Sequence, residues 1–196
     1  RLFTLRLDEG WRRKAARECL SNNPNNILDL CTGTGDLALR LARKVNGDTK
    51  IIGYDFSHTM LEEAGKKNTR NRGIDVEFIH GDAADMPFPD NHFNTIGISF
   101  AFRNLTFRNP DTPRFLAEVL RTLKPGGQFV IVESSQPKSK VLKGLLKFYM
   151  MQFVKRLGTL LSGDKGAYHY FAYSVVHFYT REEIEGLLKE AGFSTV

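Results

Sequence analysis

The stretch Ile27–Ala38, ILDLCTGTGDLA, decides how the chain is read. Ile27, Leu28, Leu30 and Cys31 form a short apolar run broken only by Asp29. Gly33, Thr34 and Gly35 interrupt it, and Leu37, Leu39, Leu41 and Ala42 begin a segment that can be helical. Strand, tight glycine turn, helix is the order this implies. Both glycines permit positive φ and carry no Cβ, so a ligand can lie against bare backbone where a helix presents unpaired N–H groups. The spacing G-x-G-x-x-A is a permitted form of the nucleotide-binding fingerprint.

Asp55 sharpens that reading. It stands twenty positions after Gly35, at the end of a second apolar run (Ile51, Ile52, Gly53, Tyr54), where a carboxylate can accept both ribose hydroxyls. An adenosine-type cofactor is expected. Asp29 and Asp36 bracket the glycines, and a carboxylate at Asp36 stands where a pyrophosphate would dock. On Coulomb grounds the acids favour S-adenosylmethionine, with its sulfonium and ammonium, over NAD, FAD or ATP. A plainer role is compatible with this: Asp36 charges a helix start and Asp29 hydrogen-bonds the loop.

With 41% hydrophobic and 26% charged residues, the 196-residue chain suits a single domain, 1–196, with a full core. No apolar run approaches the ~20 residues of a membrane span, and the start RLFTLRLDEGWRRK has no signal-peptide core, so a cytoplasmic protein is expected. Cys19 and Cys31 make neither a disulfide framework nor a metal set, and Cys31 reads as a small core residue. The net charge of +6 is spread along the chain without a recognition motif, so no nucleic-acid partner is expected.

In chain order, residues 7–20 can form a helix with Trp11, Ala15, Ala16 and Cys19 on its apolar side and Arg12, Arg13, Lys14 and Arg17 mostly outward. After the glycine turn, a helix over 36–45 is followed by a strand over 50–54, a helix from Ser57 to about 71, and strands over 75–80 and 94–100. The helix over 111–123 closes at Lys124-Pro125-Gly126-Gly127 before a strand over 128–133. This alternation predicts an α/β, Rossmann-like fold: a mostly parallel, doubly wound sheet flanked by helices. Ligands of such sheets bind beyond the carboxyl ends of the strands, where residues 29–35, Asp55, Asp82–Ala83 and Ser99 all fall. Beyond residue 137 helices follow the fifth strand. Leu142, Leu145, Leu146, Tyr149, Met150, Phe153, Val154 and Leu157 keep helical spacing, and most of that apolar face is expected to pack. Gly163–Gly166 reads as a loop, 168–178 as an aromatic-rich helix, and Thr180 as the start of a capping box for a helix over 181–190.

With these residues placed, the chain resembles class I S-adenosylmethionine-dependent methyltransferases, and among them the ubiquinone/menaquinone biosynthesis C-methyltransferases. Trp11–Lys14, LDLCTGTGD, PFPDNHF, ISFAFRNL, LKPGG and LGTLLSGDKGAYHYFAYSV carry the resemblance. The glycine motif and LKPGG mark the class; ISFAFRNL and the block 158–175 mark the quinone family. The resemblance implies cofactor contacts at Thr34, Asp55, Asp82, Ala83 and Ser99, beside the loop residues Asp29, Gly33 and Gly35. Asp55 would hold the ribose, and Asp82–Ala83 would lie by the adenine. It also implies methyl transfer to a ring carbon of a demethylated, prenylated quinol, without a metal. Arg103 and Asn104 would steady the phenolate, and Tyr168, with His169 and Tyr170, would supply a base or pocket wall. Arg103 paired with an acid, Asn104 as a cap and the aromatics as core are the competing readings. Another small-molecule methyltransferase, an NAD-binding oxidoreductase and a non-catalytic cofactor-binding protein are the alternatives. The resemblance leaves a homodimer and a peripheral contact with the membrane's inner face open. The family's fold closes with a further strand, expected just where Val196 ends the chain.

Overall fold

The computed structural model describes residues 7–45, 47–71, 73–154 and 165–196, which fall into two compact units, 1–133 and 134–196. The first unit is α/β. Helix α1 (Leu7–Cys19) precedes β1 (Asn26–Leu30), α2 (Asp36–Ala42), β2 (Lys50–Asp55), α3 (His58–Asn68) and β3 (Glu77–His80). Then come β4 (Phe93–Ser99), α4 (Phe102–Thr106), α5 (Thr112–Thr122) and β5 (Leu123–Val132). The five strands make one sheet in the order β3-β2-β1-β4-β5. All four pairings are parallel, as the crossover rule requires.

Strand order reverses between β1 and β4, and a crevice opens at such a switch point beyond the strand ends. Ile27, Leu28 and Leu30 are fully buried because β1 is central and covered on both faces. Ala15, Ala16 and Cys19 of α1 pack with Ile27, Leu37, Ala38, Leu41 and Ile51 in the core. Burial pushes the Cys19 thiol up to about 12, which leaves it an inert small apolar group.

Several boundaries differ from the sequence reading. Helix α2 ends at Ala42, whose carbonyl accepts the Ile74 N–H at 3.1 Å; the segment entering β3 takes the bond that a longer helix would use. Strand β5 begins at Leu123, because Leu123 already pairs with Phe93 ahead of the irregularity at Lys124–Gly127. Helix α4 was not legible at all: five residues are too few to show a period. Ser57 does cap α3, its Oγ accepting the Met60 N–H.

The second unit holds α6 (Lys140–Tyr149), a π-helical turn (Met150–Val154), α7 (Lys165–His177) and α8 (Arg181–Glu190). Thr180 and Glu183 form the expected capping box. Gln136 is tied to this unit by its side-chain bond to the Val175 carbonyl at 2.6 Å. Two expectations change here. Lys165 and Gly166 are helical, not loop, while 163–164 lie outside the described residues. The apolar face packs only in part: Leu142 is 55%, Leu145 60% and Tyr149 42% exposed, whereas Leu146 is half-buried and Met150, just past the helix, is buried; the neighbouring Val141 and Phe148 are exposed as well. Leu157 lies outside the described residues. No described helix is long and apolar enough to cross a membrane.

Candidate active site

The end of β1 runs straight into the glycine turn. Cys31 takes φ 53°, Gly33 φ 56° and Gly35 φ 76°. The Thr32 N–H donates to the Tyr54 carbonyl at 3.1 Å, and the Gly35 N–H donates to the Thr32 carbonyl at 3.0 Å. Asp55 braces the turn from β2. Its Oδ2 accepts the Gly33 N–H at 2.7 Å, and its Oδ1 accepts the Ser57 N–H at 2.8 Å. Each carboxylate oxygen keeps a further lone-pair direction, so Asp55 is oriented before any ligand arrives. A cavity of about 480 Å³ opens beside it, lined by residues that follow β1, β2 and β4, with Arg12 from α1.

Asp29 sits at its base, 1% exposed. One oxygen, Oδ2, accepts both the Thr32 hydroxyl at 2.6 Å and the Ala38 N–H at 2.9 Å. It therefore ties the start of α2 to β1 as well as facing the cleft. Burial pushes its carboxyl up to about 7, against the opposing pull of those two bonds. The native state then holds a proton that the unfolded chain releases near pH 4, so stability falls as pH rises from about 4 to about 7 and levels off above. Asp29→Asn keeps an oxygen for both donors and is expected to remove that slope. Urea midpoints measured across this interval check it; parallel slopes in the two proteins would refute the assignment.

The remaining predicted residues divide. Thr34, Ser99 and Asn104 line the cavity with Asp29, Gly33 and Asp55. The Ser99 hydroxyl is buried without a hydrogen-bond partner among the described residues. Gly35 shapes the turn from behind: a Cβ there would meet Phe78 at 3.0 Å and Ala64 at 3.1 Å. Asp82 and Ala83 border the same sheet edge, joined to β2 by the Gly81 N–H bond to the Asp55 carbonyl at 3.0 Å, and they do not line the cavity. The backbone of Tyr168 belongs to α7, and its side chain lies outside the described residues.

Three readings need correction. Asp36 is not a free charge on the cleft, because Lys67 Nζ lies 2.7 Å from its carboxylate and also bonds the Thr34 hydroxyl at 2.7 Å. The case for a cationic ligand therefore rests on Asp55, with Asp29 adding its charge only above about pH 7. Arg103 is not poised for a phenolate: its guanidinium lies 3.0 Å from Glu133, with both side chains buried, and it does not line the cavity. Cys31 is at the cleft wall, not in the core, and Arg12 turns inward to the same wall. Nothing in the local sequence separates Arg12 from Arg13 and Lys14; only the packing of α1 does.

The ubiE/COQ5 methyltransferase family matches residues 1–196. The demethylmenaquinone methyltransferase of Thermotoga maritima is 41% identical over 98% of this chain and 80% of its own length. That of Deinococcus radiodurans is 36% identical over 100% and 78%. The chain belongs to the ubiE/COQ5 methyltransferase family. A solved structure of a putative methyltransferase from Bacillus halodurans superposes with a TM-score of 0.68 at 25% identity, covering 93% of this chain and 68% of that one. The [4+2]-cyclase SpnF has the same fold, with a TM-score of 0.66 at 24% identity over 94% of this chain and 57% of that one. Membership of the family, rather than the fold, makes the chain an S-adenosylmethionine-dependent methyltransferase. The cleft suits that cofactor. Among the described residues, a Cβ on Gly33 would meet no atom within 4 Å beyond its chain neighbours, which leaves bare backbone open to a ligand, and the Ser99 hydroxyl has no hydrogen-bond partner.

Proposed function

We propose that the chain methylates a ring carbon of a demethylated, prenylated quinol, of the demethylmenaquinol-to-menaquinol type. The observation that carries this is the nearly full-length match to relatives named demethylmenaquinone methyltransferase. A relative in Pseudomonas entomophila named ubiquinone/menaquinone biosynthesis C-methyltransferase, 32% identical, keeps a benzoquinol as the second ring type. The cofactor supplies an electrophilic methyl group. Asp55 would accept the ribose hydroxyls, Ser99 and the Gly33–Thr34 backbone would line its path, and Asp82–Ala83 would flank the adenine. What remains for the protein is to orient the ring, exclude water and accept the phenolic proton, whose loss raises electron density on the neighbouring carbon. Asn104 is the candidate for orienting the quinol oxygen. Tyr168 is the candidate base or pocket wall.

A long-tailed quinol resides in a bilayer, and α6 offers exposed Val141, Leu142, Leu145 and Phe148 together with Lys140, Lys143 and Lys147. We read this helix as a reversible contact with anionic lipid. The test is methyl transfer to demethylated naphthoquinol, benzoquinol and a tail-less analogue, with the tailed substrates in anionic or neutral vesicles. Turnover of the naphthoquinol is expected to be fastest, and to fall in high salt or on Lys140, Lys143 and Lys147→Glu only when anionic vesicles deliver it. No turnover of either quinol would refute the proposal, and a salt-independent rate from anionic vesicles would refute the lipid contact.

A further inference from the structure

S-Adenosylmethionine carries one anion besides its two cationic groups: the carboxylate of its methionyl end. A cleft walled only by acids would leave that anion unmatched. Among the described residues lining the cavity, Asp29, Asp36 and Asp55 are acidic, and Arg12 is the one Lys or Arg. Lys67, the nearby alternative, bonds Asp36 and Thr34 and does not line this cavity.

Arg12 is held where it can act. Its guanidinium carbon lies 5.1 Å from the centroid of the Phe100 ring, and Trp11 packs on the same ring with centroids 6.0 Å apart. Phe100 directly follows β4 and has φ 61°, a left-handed conformation that costs of order 1–3 kcal/mol for a bulky residue and persists only where the surroundings enforce it. Its N–H donates to the Val132 carbonyl at 2.7 Å, which fixes that turn to β5. Stacking engages the face of a guanidinium, whereas a carboxylate binds at its edge, so the two contacts are compatible. The charge of Arg12 also reaches Asp29 at the base of the cleft.

We propose that Arg12, stacked on Phe100, is the positioning residue that receives the carboxylate of S-adenosylmethionine. The assignment rests on the cofactor reading above, and it makes α1 part of the cofactor site. The experiment is calorimetric binding of S-adenosylmethionine and of its decarboxylated analogue to the wild-type chain, Arg12→Met and Arg12→Lys. Wild type is expected to prefer the carboxylated compound by about tenfold to hundredfold, the range for hydrogen bonds to a charged group. Arg12→Met loses that preference while binding the analogue as wild type does, and Arg12→Lys keeps part of it. A purely structural role would weaken both compounds together and leave the ratio intact; that result would overturn the proposal. Wild type that bound neither compound would overturn the cofactor reading instead, and the proposal with it.

Discussion

Gly35→Val is expected to leave little folded protein, whereas Gly33→Ala folds and fails to bind S-adenosylmethionine. The two glycines stand two residues apart, both at positive φ, yet a side chain at each meets a different environment. At Gly35 the φ of 76° combines with Phe78 and Ala64 only 3.0 and 3.1 Å from the added Cβ. A β-branched residue there meets backbone strain of roughly 1–3 kcal/mol and overpacking of about the same size. Together these reach a large share of the ~5–15 kcal/mol that holds a domain folded. At Gly33 an added Cβ meets no atom of the described residues within 4 Å beyond its chain neighbours, and the residue lines the cleft, so the methyl takes space the ligand needs. Its folding cost is the left-handed conformation alone, about 1–2 kcal/mol. Urea denaturation and cofactor calorimetry separate the outcomes. Wild-type stability in Gly35→Val, or wild-type affinity in Gly33→Ala, would contradict this account of the turn.

Arg103→Ala is expected to act on stability before it acts on turnover. The guanidinium and the Glu133 carboxylate are 6% and 2% exposed and 3.0 Å apart, and the Arg103 N–H also donates to Glu133 at 3.1 Å. Removing the guanidinium deprives a buried carboxylate of its counter-charge, a change that typically costs roughly 3–5 kcal/mol. Replacing both partners by apolar residues of similar volume removes the charge that needs compensation. Arg103→Met with Glu133→Met is therefore expected to recover most of the loss. The measurement is the denaturation midpoint of Arg103→Ala and of the double variant, with turnover expressed per folded molecule. A single variant of undiminished stability but lost turnover would return Arg103 to the substrate.

Signals that live within one turn of chain were legible without the fold. The strand–glycine–helix order at 27–42, the Ser57 cap and the Thr180–Glu183 capping box depend on backbone sterics and on partners three or four residues away. So does the arrival of Asp55 and Ser99 at strand ends, because alternating strands and helices with right-handed crossovers bring all carboxyl ends to one edge. The short helix α4 escaped because five residues show no period.

Charge partners were another matter. Arg103 meets Glu133 across 30 positions of chain, and Lys67 meets Asp36 across 31. Arg12 reaches the cleft, unlike its neighbours Arg13 and Lys14. The sequence by itself determined the parallel sheet, the order of its elements along the chain, the glycine turn and which residues reach the edge proposed for the cofactor, since periodicity and allowed φ are local properties. Which cation pairs with which acid, and which one lines the cleft, was decided only by tertiary structure: a Coulomb pair depends on distance in space, and that distance is set by which strands and helices the sheet brings side by side.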